Sequence, residues 1–317
     1  MMTLRSMTIA VLGLGLLGAP VFAAEPARPG TVNYVEGAAY LEGTQLTQKD
    51  IGSTDQDAGQ VLTTGAGRAE ILLTPGVFLR LDRNSAVKMI SPDLMLTQVE
   101  LVKGRAGIEV DEIHEQNNLQ VIDAGVATRL QKKGYYEFDA GKPTAMVFKG
   151  EAAVDLGDGK SKEIKGHHEF ALAGGADGQA MTNEKPADFN EGQAKDDLYN
   201  WSSLRSQCLA EDNNEMAAEY DGMGMNPGWF WDPYAFGYTY MGMGPFASPF
   251  GWGYYPFGFY GGGYGGGYYG RGYYRNGGYA HGGSVGVRGG AGGFHGGGMS
   301  GGGMGGGGSH GGGGGHR

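Results

Sequence analysis

The sequence predicts a mainly β protein: a single all-β domain of short strands, built as a roll, a sandwich or a solenoid-like layer, then an amphipathic helix and a disordered glycine-rich tail. Three observations predict it. Short apolar runs recur between Pro29 and Thr182, with a turn signal every few residues. Near Asn190 the apolar period changes to three or four residues. Beyond Asp221 the composition collapses toward glycine and aromatic residues, with more than half of the 65 glycines in that stretch and no lysine.

The chain opens with Arg5, an apolar run over residues 9–17, then Gly18-Ala19-Pro20 and the small-residue site Val21-Phe22-Ala23-Ala24. A basic start, a short apolar stretch and a small-residue end predict a secretory signal peptide over residues 1–24. The run is shorter than the ~20 residues a spanning helix needs. No cysteine stands at the cleavage site to carry a lipid. The mature chain is therefore expected to be extracytoplasmic, periplasmic or secreted, with no transmembrane segment after signal cleavage.

Residues 29–182 are predicted to form the β domain. Strands over 31–35 and 38–42 flank Glu36-Gly37, and the polar stretch 45–59 reads as a surface loop or irregular edge. Residues 60–90 carry the clearest pattern. Runs over 68–74, 77–82 and 86–90 are separated by Pro75-Gly76 and Asn84-Ser85, the punctuation of tight turns between antiparallel strands. In the middle run Val77, Leu79 and Leu81 alternate with Phe78, Arg80 and Asp82, which predicts a half-buried strand. Strands over 97–103 and 105–111 meet at Gly104; Ala106, Ile108 and Val110 point one way, Glu109 and Asp111 the other. Further strands are predicted over 119–122, 126–131, 135–139, 145–148, 152–156, 161–165 and 168–173, with Asp158-Gly159 as a hairpin signal. About 150 residues suffice to bury one core.

Residues 188–220 read as the amphipathic helical segment. Leu198, Trp201, Leu204 or Arg205, and Cys208 recur at helical spacing, with Asp196, Asp197, Asn200 and Ser203 between them. The helix is expected to begin near Asn190 or Asp196. Its face of Leu198, Trp201, Leu204 and Arg205 is expected to dock on the β domain, or on a partner, with Trp201 as the anchor. Cys208 is the sole cysteine, which excludes an intramolecular disulfide and a multi-cysteine metal site. It reads as a small buried hydrophobe, with an intermolecular disulfide as the alternative.

Residues 222–317 are predicted to be a disordered, low-complexity tail. Its first part mixes Pro, Gly, Trp, Phe, Tyr and Met as far as Tyr260, and the rest is nearly pure glycine with Tyr, then His, Met and Arg. Glycine's backbone entropy and the near-absence of aliphatic residues oppose a packed core. The aromatic residues favour weak self-association. Arg271, Arg275, Arg288 and Arg317 face only Asp232 in this stretch, so the chain's net charge of −10 is concentrated in its body. An acidic body lacks the positive footprint of a nucleic-acid binder. The RGG-like pieces at Arg271 and Arg288 do not suit an exported chain as RNA contacts. His281, His295, His310 and His316 are too widely spaced for a defined metal site.

Catalytic patterns are absent. There is no HExxH, no nucleophile elbow and no phosphate-cradling glycine loop before a helix. The run from Gly65 to Glu70, GAGRAE, leads into a strand and reads as turn geometry. His167-His168 precede a strand, where adjacent side chains diverge. Glu137 with Asp139, and Asp155 with Asp158, read as solvated-face and turn residues; calcium needs a denser set of oxygen ligands. The expectation is a non-enzymatic protein with no cofactor and no metal.

Residues 30–170 resemble a FecR-type domain. The resemblance is carried by Gly30-Thr31-Val32, then Leu62-Thr63-Thr64-Gly65 with Arg68-Ala69 and Leu72, then Pro75-Gly76 with Val77, Leu79 and Leu81. Ser85, Val87, the Gly104–Ile108 stretch and Lys149-Gly150-Glu151-Ala152 continue it. It marks Gly65, Arg68, Ala69, Pro75, Gly76, Gly104 and Gly150 as fold-determining positions. The family's glycine-threonine pair is missing, with Lys133-Gly134-Tyr135-Tyr136 in its place. Well-known members are inner-membrane regulators with a cytoplasmic anti-sigma segment and one transmembrane helix; this sequence shows a signal peptide and neither of those parts. The resemblance therefore implies the β fold and an envelope location, without direct control of a sigma factor and without catalytic residues to transfer.

Two functional readings follow. The first is an exported β module that binds a protein or envelope ligand, such as an envelope protein or cell-wall component, possible in envelope signalling. The second makes the tail primary, as a structural or matrix protein whose Gly/Tyr segment self-associates or coats a surface.

Overall fold

Short extended runs joined by glycine-bearing turns make up most of the structure, a computed structural model that describes residues 26–114, 116–157, 159–172, 185–219 and 226–256. The predicted leader, Asp158 of the hairpin signal, and the stretch 257–317 with its arginines and histidines lie outside the described residues. β1 (Val32–Glu36), β2 (Ala39–Leu41) and β3 (Thr44–Gln45) precede one 3-10 turn at Gln48–Asp50. β4 (Val61–Thr64), β5 (Arg68–Leu72), β6 (Val77–Leu81), β7 (Ala86–Asp93), β8 (Leu96–Lys103) and β9 (Arg105–Val110) follow. Next come β10 (Gln120–Asp123), β11 (Val126–Leu130), β12 (Gly134–Asp139), β13 (Thr144–Lys149), β14 (Glu151–Gly157), β15 (Lys160–Lys165), β16 (His168–Ala171) and β17 (Ala187–Asp188). α1 (Glu191–Ala194) and α2 (Asp197–Glu219) lead to β18 (Gly228–Asp232), β19 (Gly237–Met241), β20 (Phe246–Ala247) and β21 (Gly253–Tyr254).

The predicted roll, sandwich or solenoid resolves into two facing sheets. An eight-stranded sheet has the order β1-β5-β6-β9-β12-β13-β16-β17, and a nine-stranded sheet the order β15-β14-β11-β10-β8-β7-β4-β2-β3. Described neighbours are antiparallel except β8 and β10, which run parallel with Val121 opposite Val99. The chain passes repeatedly from one sheet to the other, and glycine serves two of these corners. At Gly104 φ is +72°, and a Cβ there would lie 2.2 Å from Ser85 Oγ, which accepts the Arg105 amide at 2.9 Å. At Gly150 φ is +105°, and a Cβ would lie 2.2 Å from the Tyr136 hydroxyl. Neither corner admits a side chain.

Between the sheets lies the main core. Val77, Leu79, Leu81, Ile108 and Val110 from one layer meet Val87, Met89, Val99, Leu101 and Val121 from the other, all buried. This is the inward half of the period-2 alternation. The outward half departs from the expectation for β6: Phe78 and Arg80 are both 0% exposed, so the strand is buried on two faces. α2 and the last four strands cover that side of the eight-stranded sheet, as the contacts of Leu72 and Phe78 with Leu209, Tyr238, Tyr240 and Tyr254 show.

Those last strands correct a second expectation. Residues 226–256, read from composition as coreless, form two antiparallel hairpins, β18–β19 and β20–β21. Aromatic rings supply the apolar area that aliphatic side chains do not, each burying on the order of 150–250 Å². Trp229 packs edge-on against Phe78 at 4.8 Å and against Tyr240 at 5.6 Å, and Phe246 stacks on Tyr254 at 4.8 Å. No helix among the described residues is long and apolar enough to cross a membrane.

Candidate functional site

α2 starts where its sequence supplies a cap: Asp196 Oδ1 accepts the Leu198 amide at 3.0 Å. From there Leu198, Trp201, Ser202, Arg205, Ser206 and Leu209 recur at three- and four-residue steps and meet the outer face of the eight-stranded sheet, and Asn213 continues the stripe onto Tyr240 O of β19. Of the four predicted docking residues, Leu198, Trp201 and Arg205 lie on this face. Leu204 does not; it is 57% exposed, because the step from Trp201 to Arg205 sets the register and turns Leu204 away. The Trp201 indole donates to Glu36 Oε2 at 3.0 Å and lies under the Arg68 guanidinium at 5.3 Å.

The surface beneath α2 carries buried charges beside the apolar Leu72 and Phe78. Arg80 Nε donates to Glu70 Oε2 at 2.8 Å, and its Nη1 lies 2.6 Å from Glu109 Oε2. Arg205 on α2 donates to Glu70 Oε1 at 3.0 Å, and Asn33 donates to the same oxygen at 2.9 Å. The Ser206 hydroxyl donates to Glu109 Oε1 at 2.6 Å. The Tyr135 hydroxyl donates to Glu137 Oε1 at 2.9 Å and meets Ser202 Oγ at 3.0 Å. Arg105 bridges strand and helix, with Nη2 on Glu137 at 2.7 Å and Nη1 on Asp196 at 2.6 Å.

Burial sets the protonation of this layer. It would raise the Glu70 carboxyl, but Arg205 and Arg80 outweigh it and hold Glu70 below its ordinary value. At Glu109 burial wins over Arg80 and the carboxyl is raised. Asp111 is raised well above the carboxylate range, by burial first and then by the Glu109 charge. Arg80 and Arg205 thus serve as the guanidinium partners of Glu70 and Glu109, and Asp111 is the group favoured to keep a proton. Glu137, expected as a solvated residue, is buried between Tyr135 and Arg105, and burial pushes it up to about 7. Glu70 and Glu109 fasten α2 to the sheet through Arg205 and Ser206. Neither lines the clefts at the α1–α2 bend, whereas Glu137 does.

An opening does exist where the helices bend at Lys195-Asp196. Two adjoining clefts of about 250 and 580 Å³ share Arg105 and Asp196. The smaller is lined by Glu137, Asp139, Lys142, Thr144 and Glu169, the larger by Arg68, Asp82, Arg83, Lys195, Asp197 and Asn200. Arg68 donates through Nε to Asp82 at 2.8 Å, but its buried Nη2 has no acceptor among the described residues, and neither has the buried Thr144 Oγ1 a partner there.

The other positions singled out by sequence lie in the scaffold. Arg68 is the first residue of β5, and Ala69 is buried between Val35 and Leu81. Pro75 and Gly76 form the β5–β6 turn, closed by the Val77 amide on Thr74 O at 2.8 Å, with Gly76 at φ +82°. The Gly65 amide donates to Ala38 O at 2.9 Å. His167 pairs with Glu191, and His168 lies 3.2 Å from Asp188, so the two rings serve different carboxylates. Asp155 is an exposed residue within β14, opposite Ser161 at a bulge, and accepts the Gly157 amide at 2.8 Å. Cys208 is a free, half-buried thiol raised by burial. No cluster of three or more His, Cys, Asp or Glu suited to a metal occurs among the described residues.

The sequence reading missed Glu70, Arg80, Glu109, Arg105, Glu137 and Tyr135 as a connected layer. Two signals pointed to it. Arg80 and Glu109 stand in phase with Phe78 and Asp111, opposite the aliphatic set, and Ser202, Ser206 and Asn213 lie in register with Leu198 and Leu209 on the helix.

No protein-family model matches the chain, and no curated protein matches it. Two crystal structures described as a "putative anti-sigma factor" from Parabacteroides distasonis are similar to it, at 13% and 12% identity and a TM-score of 0.34 each. Each match covers 46% of this chain and 64% of the length of the other.

Proposed function

We propose that this chain is an extracytoplasmic, non-catalytic β module of FecR type that binds a protein or envelope ligand. The observation that carries the reading is the open cleft at the α1–α2 bend, set on a two-sheet scaffold and lined by charges of both signs. The leader pattern of residues 1–24 and the FecR-like order of residues 30–170 support the location and the family. The buried carboxylates, being engaged with α2, act as scaffold in this reading. A pull-down with the intact exported chain tests it. Capture of an envelope protein or cell-wall fragment that is lost when Glu169→Lys reverses a cleft charge is the expected result. Capture indifferent to that change, or none at micromolar bait, overturns the reading.

A structural reading is favoured by a separate observation. The β18–β19 turn holds Tyr234 at 83% and Phe236 at 65% exposure, and Met243 is exposed nearby. Exposed aromatics of this kind suit weak self-association through the C-terminal segment. Replacing both Tyr234 and Phe236 by serine distinguishes the two: self-association weakens under the structural reading, whereas ligand capture persists under the first.

A further inference from the structure

We propose that the cleft at the α1–α2 bend binds the two charged ends of a short zwitterionic peptide, with Arg68 receiving the carboxylate and the Asp139–Glu169 end receiving the ammonium. This rests on the reading of the chain as a binding module and names the ligand class of that site.

The carboxylate end is marked by an incomplete arginine. A guanidinium has five N–H donors in a rigid plane. At Arg68 the plane is fixed twice, by Asp82 on Nε and by the Trp201 ring beneath it, and the side chain is only 6% exposed. Yet Nη2, itself buried, is left without an acceptor among the described residues, in a side chain that lines the larger cleft. A planar donor held in place and unsatisfied is complementary to a carboxylate oxygen. Arg83 lines the same cleft, held among the described residues only by a 3.6 Å contact to the exposed Asp197, so it is available as a second donor.

The ammonium end is marked by the opposite imbalance. The smaller cleft presents Glu137, Asp139, Glu169 and Asp196 against Arg105 and Lys142. Arg105 is already occupied by Glu137 and Asp196, which leaves Glu169, and Asp139 with one oxygen engaged by the Gly141 amide, to face an incoming cation beside the exposed Lys142. Thr144 lines this cleft, and its buried Oγ1, unpartnered among the described residues, is a hydroxyl suited to a backbone amide or carbonyl. A simple anion satisfies only Arg68, and a simple cation only the acidic wall. A ligand with a carboxylate, an amide backbone and an ammonium satisfies all three.

Titration of the intact exported chain with triglycine, N-acetyl-triglycine and triglycine amide, followed by calorimetry at pH 7, tests the assignment. Triglycine is expected to bind, and blocking either end to weaken it by tenfold or more. Arg68→Lys keeps the charge beside Asp82 but removes the guanidinium plane, so it should weaken triglycine about tenfold and leave the amide unchanged. Because Arg68 begins a core strand, Glu169→Gln on the half-buried cleft wall is the second variant; it should weaken triglycine and leave the acetylated peptide unchanged. No heat with triglycine at 10 mM, or equal binding of all three peptides, overturns the proposal. If triglycine fails while an envelope ligand is still captured and lost with Glu169→Lys, the peptide assignment falls and the binding-module reading stands. If both fail, both fall.

Discussion

The two faces of the eight-stranded sheet are equally dry but chemically opposite. On the inner face Val77, Leu79, Leu81, Ile108 and Val110 pack against aliphatic side chains of the nine-stranded sheet. On the outer face Glu70, Arg80 and Glu109 are buried under α2 and aromatic hairpins. Methyl groups tolerate exchange for others of similar volume. Charges do not, because each buried ion depends on a named partner and is costly without it. Alternation along β6 therefore reports which side chains share a face, not which face meets water.

The largest break in this comparison is expected at Arg80. Among the described residues, Arg80→Ala leaves Glu70 with Arg205 and Asn33 and Glu109 with only Ser206, and should cost about 5 kcal/mol in a urea melt, near the upper end for a broken buried pair. A loss below ~1 kcal/mol would mean that water reaches these carboxylates. Phe78→Ala probes the aromatic part of the same face. With Trp229 seated on its ring, the truncation should cost about 3–4 kcal/mol. An open outer face would make the cost no more than ~0.5 kcal/mol, as for ordinary surface changes.

Gly104 sharpens the comparison from the backbone side, since its corner carries the chain from one sheet to the other. Gly104→Ala should cost about 2 kcal/mol, from its positive φ and the approach of Ser85. A melting temperature unchanged from the parent would show that the corner relaxes. This corner was legible in the sequence, as were the short strands and the Asp196 start of α2, because each is fixed by local period or turn chemistry. The outer face was not. Arg80, Glu109 and Glu137 alternate as solvated residues do, and only the long-range return of α2 and residues 226–256 makes them interior. The hairpins escaped notice because aromatic burial was discounted amid the glycine. Of the cleft, Arg68 was visible as a strand start; the Trp201 ring under its guanidinium comes from far along the chain.

The smallest effect concerns how α2 meets the β18–β19 hairpin, and it carries a definite sign. Asp212 is pushed up to about 7 from 3.8, by burial first and then by Asp232, with Glu215 and Glu211 adding to it and Arg205 opposing. The unfolded chain gives up this proton near pH 4, whereas the folded chain keeps it until about pH 7. The folded state thus binds more protons between those values, so stability falls as pH rises from about 4 to about 7 and then levels. Glu137, also held near 7, contributes with the same sign. Asp212→Asn removes one of these penalties. Allowing for solvent screening at a partly exposed site, it should stabilise the protein by about 1 kcal/mol at pH 8 and by almost nothing at pH 4. Urea melts at the two pH values decide the matter: an equal shift at both would assign the gain to packing, and a loss at pH 8 would show that the ionised carboxylate has a favourable partner, placing the charge balance of this layer in the hairpin rather than in Arg80 and Arg205.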